Sequence, residues 1–132
     1  MKEMNEDAIR AFFEKDYYAK ACGIEIDEVA EGKATCHFEV TPAHFNAGGF
    51  VQGGALFTLG DFAFAVAANA TGRQIVSLEN QITFMHATKA KKLIAKAYEI
   101  SSATKVCFYQ VDISDDEGRK VSRMSVTGYC LS

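Results

Sequence analysis

Asp61 is the only charged residue between Gly53 and Thr71, and its neighbours Leu59, Phe62, Ala63, Phe64 and Ala65 are residue types of a protein interior. A carboxylate loses its hydration in such surroundings, so an acid kept there is paired, opens into a cavity or serves chemistry. The plainer alternative is a side chain pointing to water at a helix edge. Just upstream, Gly53-Gly54 removes side chains where the first unbonded N–H groups of a helix point outward. Such a helix start attracts negative charge and suits a carbonyl oxygen developing into an oxyanion, with Asn46 or Gln52 available to add a side-chain amide. A glycine pair before a helix also serves as an ordinary turn.

These residues need a frame. From Gly54 to Thr71 the chain is apolar nearly all round and rich in Ala, Leu and Phe, which predicts a helix buried on most sides and closed by Gly72. Before it, Pro42 ends a strand and opens a loop through His44, Asn46, Gly48, Gly49 and Gln52. That strand, Ala34 to Thr41, alternates cleanly, with Ala34, Cys36, Phe38 and Val40 on one face. Further upstream, Ile9, Phe12, Phe13 and Tyr17 recur at helical spacing, predicting one amphipathic helix from Asp7 to about Lys20 that Gly23 ends before an extended stretch from Ile24 to Val29. Downstream, strands are expected at about residues 74–86, 91–101, 105–114 and 120–131, and their short links favour antiparallel pairing. The expected class is α+β: one domain over residues 1–132, with a bent antiparallel sheet wrapped around a central apolar helix and an N-terminal helix beside it.

Other chemistries lack support. The net charge of −3 and the absence of a long basic run exclude the footprint of a nucleic-acid binder. Lys89, Lys91, Lys92 and Lys96 gather locally, as a solvated face or as contacts for a phosphorylated ligand. Cys22, Cys36, Cys107 and Cys130 form no CxxC pair, and His37, His44 and His86 have no metal-site spacing, so no metal is expected. No GxSxG elbow and no phosphate loop is present. The charged start Met1-Lys2-Glu3-Met4-Asn5-Glu6-Asp7 does not read as a secretory signal, and the longest apolar run, Phe62 to Ala68, is too short to span a bilayer. A cytoplasmic protein without membrane partners is expected.

His44, Asn46, Gly49, Gln52-Gly53-Gly54, Leu59, Asp61 and Ala63 resemble the HxNxxGxxHGGxxxxLxD signature of PaaI-type acyl-CoA thioesterases of the hotdog fold, in the 4-hydroxybenzoyl-CoA thioesterase-like superfamily. The segment Val76-Ser77-Leu78-Glu79-Asn80-Gln81-Ile82-Thr83-Phe84 resembles the family strand after the helix. The resemblance implies an acyl-CoA substrate, no cofactor, and a homodimer or homotetramer with sites at the subunit interface. Asp61 becomes the general base or nucleophile and Gly53 N–H the holder of the thioester oxygen. Asn46 positions the thioester, and Ser77 orients the lytic water or the acid. Gln52, Gly54 and His44 fall among the substrate-binding positions. Lys89, Lys91 and Arg119, with Lys92 and Lys105, are the basic residues expected to meet the phosphates of CoA, and Phe45, Phe50, Phe57 and Tyr109 those expected to line an acyl pocket. One departure stands out: Gln52 replaces the family's histidine and cannot carry a proton near neutral pH. That replacement keeps a second possibility open, a non-catalytic acyl-CoA binding or sensing protein on the same fold.

Overall fold

The computed structural model describes residues 5–131; the charged start therefore lies partly outside the described residues. Two short helices come first, α1 (Glu6–Phe13) and α2 (Tyr17–Ala21), where the periodicity predicts one. Two caps explain the break. The Asn5 side chain accepts from Ala8 N–H to start α1, and the Asp16 side chain accepts from Ala19 N–H to start α2. The apolar set divides accordingly: Ile9 is buried and Phe13 meets the Phe62 ring at 5.4 Å, whereas Phe12 and Tyr17 lie exposed. Gly23, at φ +78°, supplies the left-handed turn into the sheet.

The strands are β1 (Glu25–Ala30), β2 (Lys33–Glu39), β3 (Ile75–Phe84), β4 (Lys92–Ser102), β5 (Val106–Asp115) and β6 (Lys120–Cys130). All neighbours pair antiparallel in the order β1-β2-β4-β5-β6-β3, which leaves β1 and β3 as edges. Each strand lies within a residue or two of its expectation. The central helix α3 (Gly53–Asn69) lies across the concave face, burying Leu56, Leu59, Phe62, Phe64 and Val66. Two glycines let helix and sheet approach. A Cβ at Gly60 would meet the Met124 thioether at 2.9 Å, and one at Gly128 would meet Cys107, Ile75 and Phe64 within 2.9 Å. The polar end of α3 turns directly into β3: Asn69 donates to Ile75 C=O and accepts from Ile75 N–H, tying the helix end to the first residue of the edge strand.

Candidate active site

Along α3, Gly54, Phe57, Thr58, Asp61, Ala65 and Asn69 form one stripe of incomplete burial, while the other sides are packed. Asp61 sits on that stripe, half-buried, facing the edge strand. Its Oδ1 accepts a 2.8 Å hydrogen bond from Asn80 Nδ2, and it forms no ion pair among the described residues. The carboxylate therefore has one neutral donor on Oδ1, and its Oδ2 is uncommitted among the described residues.

At the start of the same helix the two glycine N–H groups have different fates. Gln52 is the N-cap, and its Oε1 accepts from Gly54 N–H. Gly53 N–H makes no hydrogen bond among the described residues. Neither glycine has a positive φ. Space is what requires them: a Cβ at Gly53 would come 3.0 Å from the Phe84 ring, and one at Gly54 2.5 Å from Gln52 Oε1. Gly54, expected at the ligand through its N–H, is thus spent on the cap, and Gln52 faces its own helix with its oxygen.

The loop before α3 is internally braced. Asn46 Oδ1 accepts from Gly48 N–H at 2.9 Å and Phe50 N–H at 3.1 Å, and its backbone N–H donates to Phe50 C=O at 2.7 Å. The exposed Asn46 amide nitrogen remains available. His44, expected near the substrate, is instead part of the frame: it is 8% exposed, stacks on Phe38 at 4.2 Å, accepts from Thr41 N–H through Nδ1 at 2.9 Å and donates from Nε2 to Cys22 C=O at 2.7 Å. With both nitrogens engaged it has nothing left for a ligand. His37 is likewise structural, its Nδ1 lying 2.8 Å from both Asp27 carboxylate oxygens, and His86 is exposed.

Ser77 lies on β3 opposite Gly128 and makes no side-chain hydrogen bond to Asp61 within the chain. Asn80, for which no role is expected from sequence, is the residue that meets Asp61. Asn80 sits between Glu79 and Gln81 in a strand of mixed polarity, and the register shift between Ser77 and Glu79 hides which of these side chains points toward the helix.

Lys89, Lys91 and Arg119 do come together. They line one groove of about 400 Å³ with Thr88, Asp115 and Glu117. The groove adjoins the braced loop, because Val51 N–H donates to Thr88 C=O and the Lys89 ammonium lies 4.8 Å from the Phe50 ring centre. Lys105 is separated from Arg119 by the whole of β5, ten residues or about 33 Å of strand, and does not join them. Tyr109 lines a separate cavity of about 270 Å³ with Thr71, Arg73 and Glu99, one that includes neither Asp61 nor Gly53. It is buried, edge-on to Phe64, with its hydroxyl on Glu99, and burial followed by the Glu99 charge holds its phenol well above the ordinary range. Phe45 and Phe57 are partly exposed near the helix start. Among the described residues no group of three or more His, Cys, Asp and Glu is placed to hold a metal, and no helix is long and apolar enough to cross a membrane.

A bent antiparallel sheet wrapped around a central helix that carries one carboxylate and starts at a glycine pair defines a hotdog-type scaffold. The family model described as Thioesterase superfamily matches residues 48–122, from the braced loop into β6. Acyl-coenzyme A thioesterase PaaI of Escherichia coli is 33% identical over 113 residues, covering 85% of this chain and 81% of its own. The E. coli PaaI structure superposes with a TM-score of 0.89, covering 92% of this chain and 89% of that one at 30% identity. A variant of the phenylacetic acid degradation protein PaaI from Thermus thermophilus reaches a TM-score of 0.83 at 28% identity, covering 88% of this chain and all of its own. Two variants of a hypothetical thioesterase from Streptococcus pneumoniae, 26% and 27% identical, both superpose at 0.79, covering 83% of this chain and 91% and 90% of their own. One replaces an aspartate by alanine and the other a threonine sixteen positions later, the separation of Asp61 and Ser77. This chain belongs to the thioesterase superfamily and within it is a PaaI-type hotdog protein.

Proposed function

We propose that the protein hydrolyses acyl-CoA thioesters to the free acid and CoA, at sites shared between two copies of the chain. Asp61 of one copy acts as general base or nucleophile, and Gly53 N–H of the other holds the thioester oxygen. One observation carries the reading: a half-buried carboxylate with one oxygen uncommitted and an unbonded helix-start N–H lie on the same helix, eight residues apart. At 1.5 Å of rise per residue their backbones are separated by about 12 Å, too far for both to reach one carbonyl. A second chain supplies the missing half.

The surface favours such a pairing. Edge strand β3 leaves backbone groups unpaired and exposes Leu78 at 65%, Phe84 at 52% and Val76 at 44%. Adding the β3 of a second copy covers this edge and brings the two helices alongside, in a homodimer or a homotetramer built from it.

In that assembly the thioester oxygen accepts from Gly53 N–H, where the helix dipole favours the charge that develops on it. Asp61 either takes a proton from the attacking water or attacks the carbonyl carbon itself, giving an anhydride that water opens. The CoA thiolate leaves in both cases. The free Asn46 amide nitrogen helps to position the thioester. Ser77 orients the lytic water, a role supported by the matching separation in the pneumococcal variants. Lys89, Lys91 and Arg119 meet the phosphates of CoA from their common groove. The name of the E. coli relative supports acyl-CoA as the substrate class.

Purified protein assayed against aromatic and aliphatic acyl-CoAs tests this. Turnover of at least one is expected, falling about a hundredfold or more in Asp61→Ala and Asp61→Asn, with fold and oligomeric state retained. Near wild-type hydrolysis by either variant would overturn the mechanism. Binding without hydrolysis by the wild-type protein would point to a sensor.

A further inference from the structure

The chain places an amide against the reactive carboxylate by a local irregularity in its edge strand. Opposite residues in an antiparallel pair share a face, and Ile75, opposite buried Cys130, and Ser77, opposite Gly128, point inward toward α3. Regular alternation would next send Glu79, Gln81 and Thr83 inward. The register shift between Ser77 and Glu79 inserts one residue, so the inward set becomes Asn80, Ile82 and Phe84. Asn80 then faces buried Val126 across the pair and reaches Asp61, while Ile82 packs on the core and Phe84 covers Gly53.

From this geometry we infer that Asn80 is the positioning residue of Asp61. Its Nδ2 donates to Oδ1 at 2.8 Å and fixes the carboxylate plane, leaving Oδ2 to work on the thioester. A neutral amide suits the task. It orients the anion without neutralising it, whereas a lysine or arginine at this position would suppress basicity. The second observation is that Asn80 Oδ1 is buried and has no hydrogen-bond partner among the described residues. An orphaned buried acceptor lowers stability, and an apolar side chain of similar size would avoid that loss. Asn80 is therefore poorly explained by folding and well explained by its one bond to Asp61. The inference rests on the thioesterase reading above.

The test is Asn80→Leu, with Asn80→Ser as the conservative variant able to return a donor. For Asn80→Leu, thermal stability equal to or above wild type is expected, KM within about twofold, and kcat lower by roughly ten- to a hundredfold because the base is no longer held in line. Asn80→Ser recovers part of kcat. A purely structural role would reverse this pattern, lowering stability and leaving kcat of the folded protein in place. Wild-type kcat in Asn80→Leu, with Asp61→Ala inactive, overturns the assignment of Asn80 alone. Wild-type protein inert toward every acyl-CoA overturns both this assignment and the thioesterase reading.

Discussion

Removing the His44 ring tests whether this side chain belongs to the frame or to the ligand. In the frame, His44→Ala deletes the acceptor of Thr41 N–H and the donor to Cys22 C=O, and with them a stacked contact on Phe38 at 4.2 Å. Thr41 is exposed and its N–H can turn to water, so that bond costs about 1 kcal/mol or less; the half-buried Cys22 carbonyl loses somewhat more. The lost stacking and the space left beside Phe38 bring the sum to roughly 2–4 kcal/mol. For a chain of this size that lowers Tm by about 10 °C, measured at fixed protein concentration because association shifts Tm. The surviving folded fraction, assayed well below Tm, should show KM near wild type. A Tm within about 2 °C of wild type together with a clearly raised KM would refute the framing role and return His44 to the substrate.

Further expectations concern the helix start and buried phenols. Gln52→Ala should cost about 1 kcal/mol by removing the cap on Gly54 N–H, whereas Gln52→His should keep its fold and turnover, as thermal melts and kcat can establish. Collapse of turnover in a folded Gln52→His protein would show that the amide touches the substrate. Tyr109 is raised by burial and then by Glu99, and Tyr98 by burial and then by Asp112. Each folded phenol binds its proton more tightly than the unfolded one, so its contribution to stability is complete below the ordinary phenol range near pH 10 and is lost as pH rises above it. Urea midpoints should fall across that alkaline range, and less steeply in Tyr109→Phe; an identical slope in the two proteins would contradict this.

Apolar periodicity made much of the fold legible. Helix α3 follows from a run that is apolar nearly all round and strands β4 to β6 from alternation of buried and exposed residues, and Asp61 stands out because charge is absent around it. The break between α1 and α2 was hidden because Asp16 reads as one more helical surface residue until its side chain is seen capping Ala19. The glycine pair was recognisable, but not the division of labour that gives Gly54 N–H to Gln52 and leaves Gly53 N–H unbonded. His44 is expected at the ligand through the family signature and Tyr109 through its aromatic ring, while three-dimensional partners engage both. Asn80 was passed over because a one-residue shift in pairing reverses the face of every residue after it, and composition does not announce such a shift.

Sharing of the site between two chains is tested most directly by complementation. Asp61→Ala removes the carboxylate, and Gly53→Pro removes the N–H at the first helical position, where the backbone suits proline, Gln52 already has the extended conformation a following proline needs, and the exposed Phe84 ring, 3.0 Å from a Cβ there, must turn aside. Each variant alone should be nearly inactive. When the two are unfolded together in equal amounts and refolded, half the dimers are mixed, and each mixed dimer carries one site with both lesions and one intact site. Activity should return to about a quarter of the wild-type value, with unmixed controls remaining inactive. Refolded mixtures no more active than the two separate variants, with mixed dimers demonstrated by mass, would place Asp61 and Gly53 N–H in independent roles and contradict the shared site.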